Sequence, residues 1–153
     1  GLRRRDTVTV FPVLPDGKII LTQQEQPGKR PFIGATGGGV DDGEHVLDAA
    51  KRELLEESGY EAEEYILWHA QNSIPKTDWP VYVFIAKGLK KVSEMNLDGG
   101  EKIELLSVTL DELIQMATNK ESRFVEQEIV PQLLEAKYDP EKRKRLEELF
   151  KPN

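Results

Sequence analysis

Between Asp41 and Glu64 the chain carries ten acidic residues against only Lys51 and Arg52. Within this stretch, Glu44 to Ser58 (EHVLDAAKRELLEES) reads as a helix stopped by Gly59. At about 100° per residue, Glu57 falls about 40° to one side of Glu53 and Glu56 about 60° to the other, so three carboxylates share one stripe. Val46, Ala49 and Ala50 lie on the same stripe one and two turns earlier, which marks it as partly covered by protein, with small side chains leaving room for a ligand. Leu47 and Leu54, further round, are expected to dock the helix on the core. Like charges three and four residues apart repel by a few tenths of a kcal/mol per pair, roughly, in water and by more when covered. Arg52 is the nearby cation, and its fork suits holding one carboxylate in a fixed rotamer. A hard divalent ion removes the repulsion, so the pattern describes an oxygen-ligated site whose remaining ligands come from a phosphate-bearing substrate.

Gly37, Gly38 and Gly39 precede this helix and let backbone approach an ion or phosphate closely. The net charge of −7 resides wholly in the acidic stretch, so the chain lacks the basic surface that binding a nucleic-acid backbone requires. No run approaches the ~20 apolar residues of a membrane helix. The absence of Cys excludes disulfides and thiolate sites and permits a reducing home, so a cytoplasmic location is expected. Nothing at the N-terminus reads as a signal peptide. The chain opens on Gly1 rather than Met, which leaves residues upstream open.

Thr7 to Leu14 and Lys18 to Gln26 read as two strands of a hairpin around Pro15-Asp16-Gly17. Thr36 to Gly39 reads as a flexible run, Tyr65 to His69, Val81 to Ala86 and Ile103 to Val108 as strands, and a helix starts near Asp111. The tail reads as helices over Ser122 to Ala136, with Pro131 as a kink or break, and Pro140 to Phe150. With no repeat or linker, 153 residues predict a single domain with a mixed sheet and helices on its faces.

Gly38, five residues, Glu44, seven residues, then Arg52-Glu53-Leu54-Leu55-Glu56-Glu57-Ser58-Gly59-Tyr60 resembles the Nudix box, Gly-x5-Glu-x7-Arg-Glu-U-x-Glu-Glu-x-Gly-U, where U is bulky and apolar. Every polar and glycine position is met, and Tyr60 stands where an aliphatic residue is commoner. The resemblance implies the Nudix fold, an α+β arrangement with a mixed β-sheet sandwiched between α-helices. It implies hydrolysis of a nucleoside diphosphate linked to another group, with Mg²⁺ assisting and Mn²⁺ able to substitute. Carried over residue by residue, Glu53, Glu56, Glu57 and the Gly37 carbonyl would bind metal, Arg52 would orient Glu53, and Glu44 would support the loop.

Gln23 to Gln26, Pro75, the Glu101 to Glu104 stretch and Leu110 to Leu113 resemble the branch that cleaves ADP-ribose and nucleotide sugars. Two departures stand out. Ile33-Gly34-Ala35-Thr36-Gly37-Gly38 replaces that branch's Trp-Glu-Leu-Pro-Ala-Gly, and its long subunit-exchanging N-terminal region is short or absent, which leaves the homodimer open. The resemblance places the general base on the Leu97 to Glu101 loop, with Glu101 preferred and Asp98 second. Lys29 and Arg30 are candidates for phosphate or sugar, and Phe32 and Trp79 for stacking on a base. His45 and His69 read as structural, and Arg3-Arg4-Arg5 as a solvated terminus. The expected partner is a small-molecule nucleotide, with neither nucleic acid nor membrane. Alternatives on the same machinery are a nucleoside triphosphate or dinucleoside polyphosphate hydrolase. From a different class, the alternative is a nucleotide-binding module without turnover, although such modules tend to lose box glutamates that here are intact.

Overall fold

A computed structural model describes residues 5–72, 78–97 and 102–153. The first strand, β1 (Thr7–Pro12), leads to β2 (Ile19–Glu25), β3 (Phe32–Gly34) and β4 (Thr36–Gly39). The helix α1 (Val46–Ser58) follows, then β5 (Tyr60–Asn72), β6 (Pro80–Lys91) and β7 (Lys102–Val108). Three further helices close the chain, α2 (Leu110–Thr118), α3 (Val130–Tyr138) and α4 (Pro140–Leu149). The strands form two sheets, one in the order β4-β1-β6-β5 and one in the order β3-β2-β7. In the first, β1 runs parallel to β6 and antiparallel to β4, so the sheet is mixed; the second is antiparallel throughout.

The expected hairpin of β1 and β2 forms only at its turn. Gly17 adopts φ 87°, Leu14 N–H donates to the Lys18 carbonyl at 2.8 Å, and Val13 bridges Ile19. Beyond that bridge the strands part into different sheets, because Val13 N–H goes to the Ala86 carbonyl instead and keeps its side of the fork on β6. The glycine run, expected to be flexible, is a strand. Thr36 Oγ1 donates to the Val10 carbonyl at 2.9 Å, and a Cβ on Gly37 would collide with the Val8 carbonyl oxygen, so only glycine lets β4 lie this close to β1.

Two further expectations are corrected. The strands read as Tyr65–His69 and Val81–Ala86 extend to thirteen and twelve residues, with Glu61, Glu63 and Glu64 exposed on β5 and Ala62 and Tyr65 half-buried. Charges on the outer face of an edge strand also discourage pairing with another chain. In the tail, one-turn helices at Lys120–Ser122 and Gln127–Ile129 precede α3, and Pro131 occupies its first turn, where a missing N–H is harmless.

The core has two parts. Val8, Val10, Phe84 and Ala86 meet Ala49, Ala50 and Leu54 beneath α1. Leu47 is 40% exposed, so Leu54 docks the helix without it. The opposite faces of β1 and β6, with Phe11, Val83 and Ile85, share the larger cluster with Ile19 and Leu21 of the second sheet and with Leu113, Leu133 and Leu146 of α2 to α4.

Candidate active site

The box residues meet where the middle and end of α1 face β4. Arg52 is their organiser. Its Nε and Nη2 grip the two Glu44 oxygens at 3.0 Å each, Nη2 also donates to the Gly39 carbonyl at 3.0 Å, and Nη1 donates to Glu53 Oε1 at 2.9 Å. Glu56 Oε2 stands 3.5 Å from the same Nη1. Glu44 in turn accepts the Asp41 N–H at 3.1 Å, closing the loop between β4 and α1. Its carboxyl is held down to about 2, chiefly by the Arg52 hydrogen bond.

Glu53 is in a different state. Its side chain is only 13% exposed, and burial raises its pKa against the opposing pull of Arg52. The carboxylate lies directly on Gly38, where a Cβ would stand 2.6 Å from the Glu53 carboxyl carbon. Glu57 Oε1 accepts the Gly37 N–H at 2.6 Å. The helix ends at Gly59, in the left-handed region at φ 76°, where a Cβ would strike the Ser93 carbonyl.

Among the described residues, no three His, Asp or Glu side chains converge at distances that hold a metal ion as they are placed. The donor set nevertheless fits a hard divalent cation. It consists of carboxylate oxygens on one helix stripe, one of them desolvated, facing a glycine backbone with no side chain in the way.

Lys29 and Arg30 are exposed in the turn between β2 and β3, and Phe32 opens β3, half-buried opposite Gln24. Trp79 donates its Nε1–H to Thr7 Oγ1 at 2.8 Å and packs on the larger cluster, the side of β1 and β6 away from α1. Pro75, Asp98 and Glu101 lie outside the described residues. His69 and Gln132 make a structural pair at 3.1 Å, and His45 caps α1 through its backbone only. Arg5 is exposed, as expected, and also lays its guanidinium against Gly39, with Nε on the Val40 carbonyl and Nη2 on Asp41. Sequence reasoning also passed over Glu126, whose Oε2 accepts the Ala35 N–H at 3.3 Å at the entry to β4. Nothing in its local sequence distinguishes it from a helix-surface glutamate.

A helix of box glutamates clamped by one arginine onto a glycine strand is the arrangement of a phosphoanhydride-handling domain. Residues 3–132 match the NUDIX domain, and the chain belongs to that family. It is similar to the Methanol dehydrogenase activator of Bacillus methanolicus, with 32% identity over 123 residues covering 78% of this chain and 66% of the relative. It is also similar to the ADP-ribose pyrophosphatase of Bacillus subtilis, with 33% identity over 117 residues covering 74% of this chain and 63% of the relative. The chain thus spans about two thirds of these relatives' length. Among solved structures, an ADP compounds hydrolase superposes with a TM-score of 0.65 at 22% identity, covering 78% of this chain and 67% of that one. A MutT from work on Aliivibrio salmonicida and Vibrio cholerae gives 0.65 at 21%, covering 86% and 97%. These likenesses establish the α+β Nudix fold.

Proposed function

We propose that the chain is a pyrophosphohydrolase cleaving the diphosphate of a nucleoside diphosphate joined to a second group, of ADP-ribose or nucleotide-sugar type, as one Nudix unit in the cytoplasm. The observation that carries the reading is the clamped glutamate stripe against Gly37 and Gly38. The similarity to an ADP-ribose pyrophosphatase supports the substrate class. Glu53, Glu56, Glu57 and the Gly37 carbonyl would hold Mg²⁺, with Mn²⁺ as substitute. When bound, such an ion neutralises the pyrophosphate and acidifies water. Arg52 fixes Glu53 and, through Glu44, the loop that follows β4. In the reaction, a water oxygen bonds to one phosphorus and the bridging P–O bond breaks, giving two phosphate monoesters. The water proton passes to a carboxylate, for which Glu101 is proposed first and Asp98 second, because a carboxylate neutralised by cations accepts protons poorly.

A second reading, nucleoside triphosphate hydrolysis, rests on the Ile33 to Gly38 stretch, which departs from the pattern of the ADP-ribose and nucleotide-sugar branch. The experiment is a panel of ADP-ribose, nucleotide sugars, nucleoside triphosphates and dinucleoside polyphosphates, scored as phosphate released after phosphatase coupling. Nucleotide diphosphate conjugates are expected to lead. A tenfold advantage in kcat/KM for triphosphates, about 1.4 kcal/mol of transition-state preference, would install the second reading. Metal-stimulated binding without turnover of any compound would leave a binding module.

A further inference from the structure

Ala35 is the single residue between β3 and β4, and so the point where the chain leaves the second sheet for the first. Its neighbours are pinned within their own sheets. Thr22 Oγ1 donates to the Gly34 carbonyl at 3.2 Å, and Thr36 Oγ1 donates to the Val10 carbonyl. The crossover is held from outside by a strap, residues 123–126. Ile33 N–H donates to the Arg123 carbonyl at 3.1 Å and Val125 N–H to the Ile33 carbonyl at 2.9 Å. At the next position the backbone of the strap diverges, and the Glu126 side chain continues the ladder by accepting the Ala35 N–H. Gly34 makes room for this approach, since a Cβ there would lie 2.9 Å from Val125 Cγ2.

The strap carries a strained residue. Arg123 takes a left-handed φ of 54°, which strains a residue with a side chain. Arg123 Nη1 and Glu128 Oε2 are buried without a hydrogen-bond partner among the described residues. Two residues beyond Ala35, Gly37 presents its N–H to Glu57, and Gly38 seats Glu53. The register of the crossover therefore sets the register of the glycine strand against the helix.

We infer that Glu126 is a positioning residue: by holding the Ala35 N–H at the crossover, it fixes where Gly37 and Gly38 meet Glu57 and Glu53. The inference rests on the proposed reading of that site, yet its direct consequence is structural and is read without substrate.

The test compares Glu126→Ala with Glu126→Gln, which keeps an acceptor oxygen. Amide hydrogen exchange at Gly37 and Mn²⁺ affinity are measured, with the Val8 and Val10 amides as internal references. In Glu126→Ala, Gly37 exchange is expected to accelerate by roughly tenfold or more while the β1 amides hold, and Mn²⁺ binding to weaken by roughly fivefold or more. Glu126→Gln restores both. Gly34→Ala, which forces Val125 and the strap away, reproduces the loss and carries the test if Glu126→Ala does not fold. An unchanged Gly37 amide in Glu126→Ala, or in Gly34→Ala where that variant must serve, overturns the inference. Absence of Mn²⁺ binding and of turnover in the unsubstituted protein, with the exchange pattern as expected, overturns the proposed function and leaves the positioning intact.

Discussion

Glu57 Oε1 lies 2.6 Å from the Gly37 amide nitrogen, so the last turn of α1 is tied to β4 by a carboxylate that is also a proposed metal ligand. Glu57→Gln and Glu53→Gln each keep the shape and remove the charge. Millimolar Mg²⁺ or Mn²⁺ is expected to raise Tm, and both variants are expected to abolish that rise and to lower kcat by at least ~10²-fold in saturating Mg²⁺. Steady-state kinetics and thermal melts with and without metal check this, and near-full turnover in both variants would remove the metal-site assignment.

Gly38→Ala tests the seat of Glu53 rather than its charge. A methyl group would occupy the space of the carboxyl, and either Glu53 or β4 must move. The expected outcome is a fall in kcat of roughly tenfold or more and a smaller metal-induced Tm shift, since a displacement of about 1 Å is enough for such losses.

At Arg52, lysine is expected to serve little better than alanine. The guanidinium holds Glu44, Glu53 and the Gly39 carbonyl at once through its three nitrogens, and a lysine has one. Comparable kcat losses in Arg52→Lys and Arg52→Ala are the measurement; full activity in the lysine variant would show that charge alone suffices.

Glu126 gives the stability a pH dependence of unusual sign for a carboxyl. Burial, with the charge of Glu128 adding, pushes it up to about 7, against 4.5 unperturbed. Between these values the folded chain binds more protons than the unfolded chain, so this group's contribution is full below 4.5 and is lost as pH rises through 7. The loss is on the order of 3 kcal/mol at most. Glu126→Gln is expected to match the unsubstituted protein near pH 4.5 and to exceed it near pH 8 in denaturant titrations; equal slopes across that window would refute the prediction.

The general base is tested on the stretch from Asp98 to Glu101. Glu101→Gln is expected to lower kcat by roughly 10² to 10⁴ while leaving KM and the metal-induced Tm shift unchanged. Full activity there with loss in Asp98→Asn moves the role to Asp98. Full activity in both returns it to the box, with Glu56 the first to examine.

The helix α1 and its box were legible because their information is local: carboxylates three and four residues apart declare a stripe, and Gly59 declares a stop. The covered face was also legible from Ala49 and Ala50, though Leu47 was not, since a side chain at the edge of an apolar arc is decided by what lies beside the helix. The fork between β1 and β2 was hidden because a turn sequence specifies the turn and not how far the pairing runs. The bond from Glu126 to Ala35 spans 91 residues, and no periodicity records it. The contact of Arg5 with Asp41 was hidden for the same reason, as the two are 36 residues apart.

The parallel alignment of β1 with β6 sets Thr7 beside Val81 and Pro12 beside Ala86. The glutamates of the site and the glycine strand they face are made between these two strands, and within its sheet β4 pairs with β1. A chain emerging from the ribosome therefore exposes the Val8 and Val10 face, the glycine strand and the self-repelling helix before the strand that completes their sheet exists. Pairing at such separation places the molecule among slow, non-local folders, where loop closure precedes reward. The late-arriving β6 is thus the element whose delay or damage would leave the glutamate helix and glycine strand assembled on an open sheet edge, the state most open to aggregation.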